Sequence, residues 1–251
     1  MIKPKKSLGQ NFLIDKNICK KIINLTKITN NNILEIGPGT GSLTEEILKN
    51  NPKKLTIIEK DEDLFNKLKN KFNGIKKLEI INEDALNYDY NQISNQTKII
   101  SNLPYNISIK LIINWIKMKN KFDEFILMIQ KEVADKMNFQ NKQKKNRLNF
   151  FINTTAHYKI KFEVSRNVFF PKPKIKSSVV QIKPLKNIKI NLNNLENFTK
   201  EIFKYKRKKL SNVVKSNKNY KMDISNNLLE KRAEDLKIDE LLNIFKSYYD
   251  Q

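Results

Sequence analysis

The sequence predicts an α/β fold, a doubly wound and largely parallel sheet followed by a small all-helical domain. Three observations predict it. Between residues 31 and 102, short β-rich apolar runs alternate with helically spaced stretches, the pattern of consecutive βαβ units. A glycine turn, Gly37-Pro38-Gly39-Thr40-Gly41, stands where the first strand would enter its helix. After Pro184 strand signals stop and amphipathic helical spacing takes over.

Taken in order, strands are expected at 33–36, 55–59, 78–81 and 98–101. Leu43, Ile47 and Leu48 mark the first helix between them, and Leu64, Leu68 and Phe72 mark the second, behind a cap at Asp61. A further strand is expected at 124–129, a helix at 147–155, and two strands near 159–164 and 178–182 that could pair as a hairpin-like edge. The lysine-rich stretch 138–146 reads as an exposed loop. Leu195, Phe198, Ile202, Tyr205, Leu228, Leu229, Leu241, Leu242 and Phe245 mark short helices. The expected division is therefore a catalytic domain at 1–185 and a helical domain at 186–251.

Composition narrows the chemistry. One cysteine, Cys19, and one histidine, His157, leave no intrachain disulfide and no Cys/His metal cluster to assemble, so no metal is expected. No apolar run is long enough to span a bilayer, and a soluble, cytoplasmic protein is expected. The 49 Lys+Arg against 26 Asp+Glu give a formal charge of +23, which attracts polyanions. A coding bias toward Lys, Asn and Ile would raise the charge as well. The densest cluster, Lys206, Arg207, Lys208 and Lys209 beside Tyr205, suits phosphate contacts and is the candidate segment for binding RNA, DNA or an anionic surface.

The glycine turn opens a nucleotide-type site in which Gly37 and Gly39 let backbone approach a ligand. Its spacing differs from the G-x-G-x-x-G of dinucleotide folds and argues against NAD. Glu59, closing the second strand, is placed to accept both ribose hydroxyl protons. Asp84, ending the third, is placed to accept from an adenine amine. Taken singly, each acid could equally be a helix cap or a solvated strand end.

Asn102-Leu103-Pro104-Tyr105 follows the fourth strand, at the carboxyl edge of the sheet, where open α/β folds place their chemistry. An exocyclic purine amine is a poor nucleophile because its lone pair is delocalised into the ring. The Asn102 side-chain oxygen and the Leu103 carbonyl, accepting its protons, would localise that lone pair toward a methyl donor. Pro104 fixes the backbone and Tyr105 can stack on the base. Read alone, the segment could also be an ordinary turn opening a helix that carries Leu111, Ile112 and Trp115.

Together these residues resemble the ribosomal RNA adenine N6-dimethyltransferase family, in its small-subunit (16S) branch of KsgA/RsmA type. The resemblance covers nearly the whole chain. It begins with Lys6-Ser7-Leu8-Gly9-Gln10-Asn11-Phe12-Leu13 and takes in the glycine turn, Glu59, Asp84, Asn-Leu-Pro-Tyr and Gln130-Lys131-Glu132-Val133-Ala134. It continues through Phe169-Phe170-Pro171-Lys172-Pro173-Lys174, Arg207-Lys208-Lys209-Leu210 and Arg232-Ala233-Glu234. Departures are Asn146, where the family usually has glycine, and Lys176, where it usually has aspartate.

The resemblance implies a class I, Rossmann-like methyltransferase that uses S-adenosyl-L-methionine. Its implied substrate is a pair of adjacent adenosines in a 3′-terminal hairpin loop of 16S ribosomal RNA within the small ribosomal subunit or its precursor. By motif match, Asn11, Leu13, Gly37, Gly39, Glu59, Asp84 and Asn102 would bind the cofactor. Phe169 would face Tyr105 across the target base. A monomer is expected. Large-subunit relatives typically carry lysine in the glycine turn and isoleucine in the catalytic motif, against Thr40 and Leu103 here. A non-catalytic RNA-binding relative would be expected to lose pieces of a pocket that this sequence keeps.

Overall fold

The computed structural model describes residues 4–5, 9–139, 144–205, 207–215 and 225–249. Lys6, Ser7, Leu8 and Lys206, and residues 140–143 of the lysine-rich stretch, lie outside the described residues.

The expected alternation is present. In chain order the elements are β1 (Phe12–Leu13), α1 (Lys16–Ile23), β2 (Asn32–Ile36), α2 (Ser42–Lys49), β3 (Lys54–Glu59), α3 (Glu62–Lys71), β4 (Leu78–Asn82), β5 (Thr97–Asn102), α4 (Ser108–Lys117) and β6 (Phe122–Gln130). There follow α5 (Lys131–Met137), α6 (Arg147–Thr155), β7 (Ala156–Val164), β8 (Phe169–Phe170) and β9 (Ser177–Pro184), and then α7 (Leu192–Ile202), α8 (Leu210–Lys215), α9 (Asn226–Leu229) and α10 (Ile238–Tyr249). Asp61 caps α3 as expected, its carboxylate accepting the Asp63 amide.

Seven strands form one sheet in the order β4-β3-β2-β5-β6-β9-β7. β2 pairs in parallel with both β3 and β5, so the strand order reverses there. In such sheets the crevice outside the carboxyl ends of those strands is the ligand-binding position. The expected antiparallel pair of late strands is present at the edge of the sheet, β7 against β9. β9 is inserted between β6 and β7, antiparallel to both. Its apolar residues Val179, Val180 and Ile182 are fully buried, which an edge position would not achieve.

A second, two-stranded ladder joins β1 to β8, pairing Phe12 with Phe170 and Leu13 with Phe169. Strands of two residues carry no period, and the sequence offers no sign of them. Leu13 and Phe169 belong to the main core cluster with Ile22, Ile33, Ile57 and Met128. Cys19 is also in that core, and burial pushes its thiol up to about 12, which makes it a packing residue.

Contacts divide the chain into residues 1–135 with 156–186, and residues 136–155 with 187–251. The second unit thus groups α6, which the sequence reading places within 1–185, with the helices after residue 186. The reason is aromatic packing: Phe150 of α6 lies 6.3 Å from both Phe198 and Phe203, ring centre to ring centre. Arg147 pairs with Glu196 at 3.3 Å, and the Lys145 amide donates to the Glu234 carbonyl. The departure at Asn146 has a structural role here. Its Oδ1 accepts the amides of Leu148 and Asn149 at 2.8 and 3.0 Å, capping α6.

A buried acid lies beneath the glycine turn. Glu35 is 1% exposed and accepts the Thr44 hydroxyl at 2.7 Å. Burial raises its pKa from 4.5 to about 8, and the negative charge of Glu59 adds to the effect. Because the folded-state value lies above the unfolded one, the folded protein holds this proton more tightly. The stability it contributes is complete below about 4.5 and is lost as the pH rises through about 8. Glu35→Gln keeps a partner for Thr44 and removes the ionisation. Its melting temperature is expected to fall less than that of the unsubstituted protein between those pH values. Parallel melting curves across the window would contradict this account.

Candidate active site

A cavity of about 250 Å³ opens at the carboxyl edge of β2, β3 and β5, lined by Gly37, Gly39, Glu59, Asp84, Asn102 and Tyr105 among others. Five chain segments far apart in sequence meet there, and each brings its residue by a local rule. The turn after β2 places Gly37 at φ +61° and Gly39 at φ +58°, backbone that side chains rarely adopt. Space reinforces the requirement: a Cβ on Gly39 would stand 2.8 Å from Cδ1 of Phe12, and one on Gly37 would stand 3.4 Å from Cγ of Pro104.

Glu59 ends β3 and is buried. Its Oε2 accepts the Gly39 amide at 3.2 Å and its Oε1 the Asp61 amide at 2.9 Å. Burial raises its pKa, against the two backbone donors that favour its charge. The carboxylate is thereby fixed in the wall of the cavity, beside the glycine turn.

Asp84 also reaches the cavity, but with partners that local pattern does not reveal. Its Oδ2 forms an ion pair with Lys60 Nζ at 2.8 Å, and its Oδ1 accepts the Leu86 amide at 2.9 Å. The Lys60 bond, followed by the Leu86 amide, holds the Asp84 carboxyl below its ordinary value. Each oxygen retains a lone pair for a further donor.

Asn102 is the last residue of β5. Its Nδ2 donates to the Asn11 carbonyl at 3.2 Å, and Asn11 Nδ2 donates to the Gly9 carbonyl at 3.1 Å. That chain fixes the Asn102 amide, and its Oδ1 remains available as an acceptor. The buried Leu103 is anchored through its own amide to the Met128 carbonyl at 3.1 Å. Tyr105 bonds through its hydroxyl to Ser177 Oγ at 2.7 Å, and burial raises its pKa, so its ring is tethered and its phenol stays neutral.

Two expected residues are placed differently. Leu13 and Phe169, 5% and 3% exposed, face the core and are absent from the cavity wall. The β1–β8 ladder is the cause: side chains alternate across it, and this pair takes the inward face. Lys60 and Phe12 are among the wall residues that escape sequence reasoning. The only hint for Lys60 is its place beside Glu59, and Phe12 carries no signal beyond its place in the first family-like segment.

In the basic cluster, Arg207 and Lys208 are exposed. Lys208 Nζ lies 4.8 Å from the centre of the Tyr205 ring. Lys209 is already paired with Glu230, so its charge is partly committed.

Residues 1–250 match the family model described as Ribosomal RNA adenine dimethylase. The chain belongs to that family. A curated relative from Wolbachia sp. subsp. Drosophila simulans, named Ribosomal RNA small subunit methyltransferase A, is 39% identical over 96% of this chain and 92% of its own. One of the same name from Pelagibacter ubique is 39% identical over 99% and 98%. A dimethyladenosine transferase from Plasmodium falciparum superposes with a TM-score of 0.79 at 27% identity, covering 93% of this chain and 95% of the other. The 23S rRNA methyltransferase ErmE shares the fold, with a TM-score of 0.72 at 20% identity.

As a ribosomal RNA adenine dimethylase, the chain is a methyltransferase dependent on S-adenosylmethionine. The cavity fits that cofactor on its own terms. Gly37 and Gly39 line it without side chains, and a buried carboxylate beside them suits vicinal hydroxyls. S-adenosylmethionine supplies a methyl group already activated by its sulfonium. The protein's own contribution to the cavity is a fixed polar group, Asn102, among apolar side chains such as Ile36, Ile58 and Ile107. Among the described residues no helix is long and apolar enough to cross a membrane.

Proposed function

We propose that this chain dimethylates the N6 amino groups of two adjacent adenosines in a 3′-terminal hairpin loop of 16S ribosomal RNA. On this reading it acts as a cytoplasmic monomer on the small ribosomal subunit or its precursor, and serves small-subunit biogenesis. The observation that carries the reading is the Asn102 amide, held through Nδ2 by Asn11 so that Oδ1 is left to accept from a substrate amine. The small-subunit assignment draws on the names of relatives that match end to end.

The residue roles follow from position. Glu59 would accept the ribose hydroxyls of the cofactor, and Asp84 its adenine amine. Gly37, Gly39 and Asn11 supply the backbone around it. Asn102 Oδ1 and the Leu103 carbonyl would accept from N6, Pro104 holds that carbonyl in place, and Tyr105 would stack on a target base extruded from its loop. Leu13 and Phe169 would support this wall from the core side, as positioning residues. Mapping methylated adenines by mass spectrometry in RNA from cells with and without the gene tests the proposal. Loss of dimethyladenosine from 16S RNA is the expected result, and loss confined to 23S RNA would redirect it.

The helical unit would supply part of the RNA contact through Arg207 and Lys208. Charge reversal of both is expected to weaken RNA binding and to reduce the slope of log K against log salt by roughly 0.7–0.9 for every phosphate left without its cation. Titrations at several salt concentrations check this, and an unchanged slope would remove the pair from the footprint. Lys209 is left alone because reversing it would also break its pair with Glu230.

A further inference from the structure

The β1–β8 ladder has an outer face as well as an inner one. Leu13 and Phe169 point into the core, so their neighbours Phe12 and Phe170 lie on the other side. Ile14 continues that side beyond the strand, held by its amide to the Val168 carbonyl at 2.9 Å. Ile14 is 54% and Phe170 52% exposed, among the most exposed large apolar side chains of the described residues. Phe12 is a wall of the cavity, packed against the Gly39 turn. As its directly opposed partner, Phe170 has its Cβ about 5 Å from that of Phe12. An open aromatic ring therefore stands opposite a cavity-wall residue in the ladder.

The surroundings of that ring are cationic. Lys172, Lys174 and Lys176 follow within six residues and are exposed, and neither Lys172 nor Lys174 forms an ion pair among the described residues. Arg166 ties the segment down by donating from Nη1 to the Lys174 carbonyl at 3.0 Å. A protein partner burying an apolar patch does not call for a rim of uncompensated lysines. A nucleic acid does, because it offers a π-face and a phosphate chain together.

We propose that Phe170 is a stacking platform for an RNA base flanking the target adenine, with Lys172 and Lys174 meeting the adjoining phosphates. The proposal rests on the ribosomal RNA reading above and adds a specific residue to its substrate surface. Stacking on Phe170 would hold the strand on either side of the extruded nucleotide at the cavity mouth, outside the atoms where methyl transfer takes place.

The test is steady-state methylation of small-subunit RNA particles by the full chain and its Phe170→Ala, Phe170→Leu and Phe170→Tyr variants, with KM measured separately for RNA and for S-adenosylmethionine. Phe170→Ala is expected to raise the KM for RNA by roughly 5- to 150-fold, the range expected when one base–aromatic stack is removed. The KM for S-adenosylmethionine and the melting temperature should stay at their unsubstituted values. Phe170→Tyr should restore the RNA KM, and Phe170→Leu, apolar but without a π-face, should not. An unchanged RNA KM in Phe170→Ala, or full rescue by leucine, overturns the platform while leaving the methyltransferase reading intact. A self-associated form of the unsubstituted chain that Phe170→Ala dissolves would make the patch a contact between copies and overturn the platform too. If the unsubstituted chain methylates no ribosomal RNA, both fall together.

Discussion

Asn102→Ala is expected to lower kcat by at least about 10²-fold while S-adenosylmethionine and RNA still bind. The comparison is with a preorganised hydrogen-bonding group that acts on charge developing in the transition state, whose removal costs about 2.7–4 kcal/mol. Here the polarity is reversed, since Asn102 would accept. As a nitrogen lone pair begins to bond to carbon, its protons become more acidic, and an acceptor already in place strengthens its hold without reorganising. The Nδ2 bond to Asn11 supplies that preorganisation. Asn102→Asp keeps an acceptor but loses the donor to Asn11 and sets a charge against its carbonyl, so it too should be slow. Single-turnover methyl transfer with saturating cofactor, together with direct measurement of cofactor binding, separates catalysis from affinity. Transfer by Asn102→Ala at the unsubstituted rate would end the catalytic assignment.

Glu59→Ala should act on the other substrate, raising the KM for S-adenosylmethionine by about 10²-fold or more. Two hydrogen bonds to a charged acceptor contribute about 1.5–3 kcal/mol each, and both are lost. The buried site adds a second cost. Glu59 also receives the amides of Gly39 and Asp61, so its removal leaves two donors of the cofactor wall without their acceptor. At saturating cofactor kcat should largely recover, because on the proposed reading Glu59 would contact the cofactor and not the target amine. The raised pKa gives a matching pH dependence: as the pH falls, Glu59 takes up a proton, loses part of its accepting capacity, and cofactor affinity should decline. Isothermal titration at two pH values reads both effects. A variant that binds cofactor normally would move the ribose contact elsewhere.

These two residues are legible in the sequence because each sits at a place that chain-local chemistry marks. Strands β3 and β5 carry short apolar runs, and the polar residue at the carboxyl end of each, Glu59 or Asn102, is visible by contrast. The glycine turn is equally legible, since positive φ and close approach leave few alternatives to glycine. Asp84 is legible as a cavity residue, but its ion pair with Lys60 is not. Those two residues are 24 positions apart, and no local pattern relates them.

Local pattern thus determined the order of strands and helices, the βαβ character, and several of the side chains that line the cavity. The reason is that hydrophobic period, turn residues and caps act over a few positions. Tertiary structure decided what depends on surfaces meeting. It inserted β9 between β6 and β7, joined α6 to the helical unit through Phe150, and committed Lys209 to Glu230. It also turned Phe169 inward and Phe170 outward, a choice that alternation alone leaves open until the ladder with β1 sets which face is buried.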